Sequence, residues 1–291
     1  MLIRLALFAV LLVVLPLLGQ LLAGNETSWV ISEANVRPLP PILAAAGAVA
    51  LLLLALEAGS RQSLFRLQRR YALALAGAGA ASGWLLLTLN QHAESWYAPG
   101  TLDAAGILAS TLLFALLPPA ILGVRTLLAR FPGLLQRLAR LPAWPALDAT
   151  QSSTLLVPLA LLGLMGGAAW PNQLAWLLWS APLWLLLTLQ VLWHERTIFA
   201  EPAGGDWGRL LCAALAALLV CNLAMLAFRM AGGILFMHTS HAVLIQFGYV
   251  LYGLFVLQLG DLVAEHWRGK PRGEVFKKKP FPIPVVSKKD Q

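Results

Sequence analysis

The chain has too little charge for a soluble domain. Only 12% of its 291 residues are charged, against roughly 25% in an ordinary soluble protein. So small a fraction cannot cover a water-facing surface, and the surface is expected to face lipid instead. Alternation of apolar and polar residues at period two is missing, which argues against a lipid-facing barrel. Cysteine is nearly absent. Cys212 and Cys221 are the only two, nine residues apart on one apolar segment, so no disulfide framework and no Cys-x-x-Cys redox motif exists. Phosphate-cradling loops are missing as well: Gly204-Gly205 is followed by Asp206-Trp207 rather than by Lys-Ser or Lys-Thr.

What the sequence has in quantity is apolar residues, 59% of the chain, with a mean hydropathy of +0.75. They fall in runs of about 20 residues, the length an α-helix needs to cross a bilayer. A backbone in hydrocarbon must satisfy its own hydrogen bonds, so the runs are expected to be helices. The fold class is therefore an all-α integral membrane protein, a polytopic bundle of eight transmembrane helices. The segments are 2–24, 41–59, 71–90, 104–128, 153–170, 173–193, 207–229 and 240–265. The first carries Arg4 ahead of a leucine-rich core, as a signal peptide does. Leu22-Ala23-Gly24 is a poor processing site and the run is long, so an uncleaved anchor is expected. Cleavage would leave seven helices with the same loop assignments.

Basic residues set the orientation. With the amino terminus inside, 19 of the 21 Lys and Arg residues fall on cytoplasmic loops or in the tail, and only Arg37 and Arg229 lie outside. Both ends are thus expected in the cytoplasm of a bacterial cell, with the protein in its inner membrane. The clustering of basic residues by topology also removes nucleic acid as a partner, despite the net charge of +8. The tail, 266–291, is rich in lysine and proline, lacks an apolar face and is expected to be disordered. Lys277-Lys278-Lys279 there would attract anionic lipid.

Several features bear on helix packing. Gly79-xxx-Gly83 and Gly163-xxx-Gly167 are small-residue faces that let another helix approach closely. Pro118-Pro119 should kink the fourth segment, and Pro158 and Pro182 interrupt two others. Between 129 and 152, leucines at helical spacing alternate with Arg130, Arg137 and Arg140, as in a helix lying in the membrane interface.

Candidate chemistry gathers between Arg229 and His241, a turn that holds an arginine and two histidines. His238 and His241 are three apart, and His92 and Glu94 lie on another outer loop, with Glu26, Glu33 and Asp103 also outside. With a carboxylate from a second loop, two such histidines could bind a divalent metal, although no His-Glu-x-x-His motif frames them. Structural or headgroup-facing roles are the simpler expectation. Haem needs histidines facing one another at similar depth inside the bundle, and here the histidines stand at segment ends. Arg229 is the best local candidate for an anionic group or a quinone headgroup. Asn222 is the most deeply placed amide, expected to bond to another helix, with contact to a ligand or quinone as the functional alternative.

The order Cys221, Arg229, His241 resembles that of the membrane transpeptidases of the exosortase group. The sequence departs from that group in lacking an Ala-Cys-Ser-Gly context and in separating Cys221 from Arg229 by only eight residues. A thiol in apolar surroundings also stays protonated and inert. In overall plan the chain is similar to eight-helix quinol-linked membrane anchors. The expected role is a non-catalytic membrane subunit or scaffold of a larger redox, export or envelope-assembly complex, partnered by other membrane proteins. The alternatives are a transporter of a neutral small molecule or lipid, and a membrane-embedded enzyme using the outer His/Glu/Arg group.

Overall fold

A computed structural model describes residues 38–59, 68–93, 96–98, 102–138, 141–143, 149–193, 197–237 and 242–268. The first apolar segment, 2–24, and the tail beyond Arg268 lie outside them. The described chain is all-helical apart from one short ribbon. Its helices are α1 (Leu39–Ala58), α2 (Arg69–Ala93), α3 (Ala104–Leu128), the short α4 (Pro132–Leu138), α5 (Ala149–Leu161), the single turn α6 (Gly167–Ala169), α7 (Pro171–Leu192), α8 (Gly208–Met230) and α9 (Ala242–Arg268). Five of them, α1, α2, α3, α8 and α9, are long and apolar enough to cross a membrane. The α5–α6 and α7 regions hold shorter apolar stretches, Thr154–Ala169 and Trp176–Leu192. Helix α9 continues to Arg268, three residues into the stretch that composition assigns to the tail.

Helix α3 is the hub, packing against α1, α2, α8 and α9. Its start is fixed by Asp103, whose carboxylate accepts the backbone N–H of Gly106 at 2.7 Å and satisfies one of the orphan donors of the first turn. The helix runs through Pro118 and Pro119. Pro118 has no N–H to offer the carbonyl of Phe114. That carbonyl faces the Gly79–Gly83 edge of α2: a Cβ on Gly79 would stand 2.7 Å from the Phe114 oxygen, and one on Gly83 would stand 2.2 Å from the Phe114 ring. The first small-residue pair is therefore a close helix contact, as its spacing predicts.

The second pair does the same for the α5–α7 hairpin. Four residues beyond Pro158, α5 widens into a π turn at Leu162–Gly166 before the turn of α6. A Cβ on Gly163 would meet Ala181 at 2.9 Å, and one on Gly167 would meet Leu178 at 2.7 Å. The hairpin docks through α7 on α9 and α2. The core is contiguous, with Leu75, Ile121, Leu164, Leu187, Val220 and Leu257 fully buried.

One element is not legible as a strand from hydropathy. Trp96–Tyr97 (β1) and Phe236–Met237 (β2) pair antiparallel, Trp96 opposite Met237 and Tyr97 opposite Phe236. The ribbon closes one end of the bundle, where α2, α8 end and α3, α9 begin. Short α4, the one described helix of the expected interface segment, lies at the other end against α8, with Leu135 beside Gly208.

Candidate functional site

At the ribbon end, two loops that are far apart in sequence are joined. The Tyr97 and Phe236 rings stack with centroids 6.4 Å apart, and Trp96 stacks on Trp179 of α7 at 6.5 Å. Asn90, in the last turn of α2, donates from its side chain to the Trp96 carbonyl at 2.8 Å and accepts the Trp96 N–H at 3.4 Å. Helix α8 stops at Met230 in a left-handed cap. Gly232 takes φ +82°, its N–H bonds to the carbonyl of Arg229, and the Gly233 N–H reaches that of Phe228. This is the two-bond helix ending in which glycine is favoured, because a Cβ opposes positive φ. It turns the chain sharply into β2.

The predicted site residues are only partly placed. Arg229 stands exposed at the end of α8. His92 is in the last turn of α2, with its side chain outside the described part. Glu94, His238 and His241 lie outside the described residues; in sequence, Glu94-Ser95 and His238 border the two strands of the ribbon. The ribbon therefore joins the loop of His92 and Glu94 to the loop of Arg229. Asp103 serves as a helix cap instead. Among the described residues, no group of three or more His, Cys, Asp or Glu side chains is placed to hold a metal. Cys212 and Cys221 are buried free thiols.

Asn222 bonds across helices. Its Nδ2 donates to the Gln246 Oε1 of α9 and to the Leu218 carbonyl, both at 2.7 Å, and its Oδ1 accepts from Gln246 Nε2 at 3.0 Å. The pair faces outward from the bundle rather than into it.

The opposite end carries an ionic group that hydropathy alone does not single out. Arg209, in the first turn of α8, pairs with Glu201 at 3.1 Å and with Asp261 of α9. The connection before α8 is built to present Glu201. Two short 3-10 turns, Ile198–Ala200 and Pro202–Gly204, flank it, and Ile198 is buried. The Glu201 carbonyl accepts the N–H groups of Gly204 and Asp206. Gly205, at φ +86°, lets the chain reverse. Gly204-Gly205 thus shapes a turn. Beside this group the Tyr71 hydroxyl donates to the Gly260 carbonyl at 3.1 Å, tying the start of α2 to α9.

One turn from Asp261, Gln258 donates to Gln190 of α7 at 2.8 Å. Both glutamines are at most 1% exposed, and among the described residues the Gln258 Oε1 has no hydrogen-bond partner. Between α2, α7 and α9, Ser82, Leu85, Leu86, Leu89, Pro182 and Phe255 line a crevice with no interior room for even a water molecule. Of these groups, Arg209, Glu201, Tyr71, Gln246 and Gln258 escape a linear reading, because their partners lie eight to 189 residues away. The available signal is weak: Gln246 and Gln258 interrupt an otherwise apolar run.

Long apolar helices, glycine-mediated contacts and polar groups at helix ends define a multi-pass membrane protein. The chain matches no known protein family, no curated protein and no solved structure.

Proposed function

We propose that the protein is a non-catalytic, multi-pass subunit or scaffold of the bacterial inner membrane, acting within a larger redox, export or envelope-assembly complex. The use made of polar side chains supports this reading. Gln258 with Gln190, Asn222 with Gln246, Tyr71 with Gly260, and Arg209 with Asp261 each tie one helix to another. Polar groups at membrane depth are costly to place, and here they are committed to holding the bundle together. In this reading the chain crosses the membrane eight times, the ribbon end faces outward, and the Arg209 group lies at the cytoplasmic side with both chain ends. Arg229 then meets a lipid phosphate or a quinone headgroup, and the lysine tail meets anionic lipid.

Affinity purification from native membranes with mass spectrometry tests the assignment. A stoichiometric membrane partner is expected, together with lower stability of the protein when expressed alone. Recovery of a stable protein with no stoichiometric partner overturns it.

A second reading, a transporter of a neutral small molecule or lipid, draws on one observation: the π turn Leu162–Gly166 that follows Pro158 in α5. Such wide turns and broken helices recur at functional sites. Substrate-dependent flux into proteoliposomes decides for it. The third reading, an outer-face enzyme, is eliminated if joint replacement of His238 and His241 by alanine leaves cellular function intact.

A further inference from the structure

Two arginines meet at the end of the bundle away from the ribbon, and only one of them is paired. Arg125 stands half-buried in the last turn of α3. Ile121 and Leu122, one turn deeper on the same side of the helix, are buried. Leu122 shows what this side faces. A Cβ on Gly260 of α9 would stand 2.9 Å from Leu122 and 2.9 Å from the Tyr71 hydroxyl of α2. Arg125 therefore looks into the junction of α2, α8 and α9, with Tyr71, Arg209, Cys212 and Asp261 within its electrostatic reach. Asp261 is bonded to Arg209, and so is Glu201. One arginine thus holds two carboxylates. The other holds none among the described residues, and its guanidinium makes no hydrogen bond there.

A guanidinium drawn partly out of water is costly unless a counter-ion meets it, and a second guanidinium beside it raises that cost. Glu201 and Asp261 are already engaged by Arg209. We propose that Arg125, with Arg209 beside it, binds a phosphate group, which supplies the missing counter-charge from outside the chain. The donors fit. A guanidinium presents five N–H groups in a planar fork that grips two phosphate oxygens at once. All five of Arg125 are uncommitted among the described residues. Arg209 gives one N–H from Nη1 to Glu201 and one from Nη2 to Asp261, which leaves it further donors for the same anion. A phosphate can turn separate oxygens to the two guanidiniums. The depth fits as well. Arg125 lies three residues, about 5 Å, inside the end of α3. That helix has 25 residues, and its length of about 37 Å reaches from one headgroup layer towards the other. Lipid phosphates stand at this level, and phosphate dissolved in water reaches it too.

Thermal unfolding of the full chain, purified in detergent and washed free of lipid, tests the site. Two probes are used, phosphatidylglycerol and inorganic phosphate, each against sodium chloride at the same ionic strength. A rise of about 2–4 °C in the midpoint is expected at saturating probe. Arg125→Gln should abolish the rise. Arg137→Gln, which removes an exposed charge on α4 at the same end, should keep it. A rise with phosphatidylglycerol alone assigns the phosphate to a lipid headgroup. A rise with inorganic phosphate in lipid-free protein assigns it to a dissolved phosphate. If Arg125→Gln does not fold, Arg125→Lys decides: it keeps the charge, loses the fork, and should raise the half-saturating probe concentration about tenfold. The proposal is overturned if neither probe exceeds chloride, or if Arg125→Gln responds as the unaltered protein does. An unchanged half-saturation in Arg125→Lys, or an equal loss in Arg137→Gln, overturns it too.

Discussion

At the scale of the residue, the buried amides carry the clearest expectations. Gln190 and Gln258 form an interhelical bond in which one acceptor, the Gln258 Oε1, meets no partner among the described residues. Replacing Gln258 by leucine strands Gln190, and we expect a loss of about 1 kcal/mol in unfolding experiments in detergent. Gln190→Leu alone should cost a similar amount. The double replacement should cost less than the sum, since an apolar pair leaves no orphan; additive losses would show that the bond contributes nothing. The ion pairs at the same end are more demanding. Arg209→Leu leaves Glu201 and Asp261 as neighbouring half-buried carboxylates. A loss of about 1–3 kcal/mol is expected, with Arg209→Lys restoring part of it, measured as thermal stability in detergent. Neither group stands out in the linear sequence as a pair. Asp261 reads as a charge at a helix end, and only the fold supplies its partner 52 residues away.

At the scale of the element, glycines decide which helix faces touch. Gly83 lies against the Phe114 ring, where a Cβ would come within 2.2 Å, whereas a Cβ on Gly77 of the same helix would meet nothing within 4 Å. Gly83→Ala should therefore destabilise the protein by about 1–3 kcal/mol through overpacking, with rescue by Phe114→Ala. Gly77→Ala should be neutral or stabilising by up to about 1 kcal/mol, because alanine favours the helix. Equal effects at the two positions, measured by thermal unfolding, would contradict the packing described for α2 and α3. The glycine pairs are legible in the sequence as faces of small residues. Which of their glycines is pressed depends on helix rotation, and that is set by partners far along the chain. The ribbon shows the same limit. Two residues per strand are too short for period-two alternation to register, and the pairing joins segments about 140 residues apart. Tyr97→Cys with Phe236→Cys, in a chain without other cysteines, is expected to form a disulfide on mild oxidation, read as a mobility shift after cleavage between α3 and α8.

At the scale of the molecule, the expectation is an orientation. Reporter fusions should show the connection between α1 and α2, the connection before α8 and the carboxyl terminus on the cytoplasmic side, and the ribbon loops outside. A fusion after Tyr97 that reports cytoplasm would reverse the assignment. The other four long helices pack on α3, and the α5–α7 hairpin docks on α9 and α2, so loss of α3 packing should loosen the long-helix core, whereas changes on the exposed leucines of α1, such as Leu51 and Leu54, should be tolerated by other apolar residues.

Composition and hydropathy by themselves determined the class of this protein. Twelve per cent charge and runs the length of a bilayer leave a helical membrane bundle as the solution, because each backbone must satisfy itself in lipid. In the described residues, glycine and proline marked helix faces and breaks. Only the tertiary structure decided what meets what: that Asn222 finds Gln246 and points outward, that Arg209 gathers Glu201 and Asp261, and that the loop of His92 is joined to the loop of Arg229 by a two-residue ribbon. The physical reason is that hydrophobicity acts on each segment separately and without direction. Hydrogen bonds, ion pairs and close glycine contacts need two surfaces at a fixed rotation and depth, and those follow from how the helices pack.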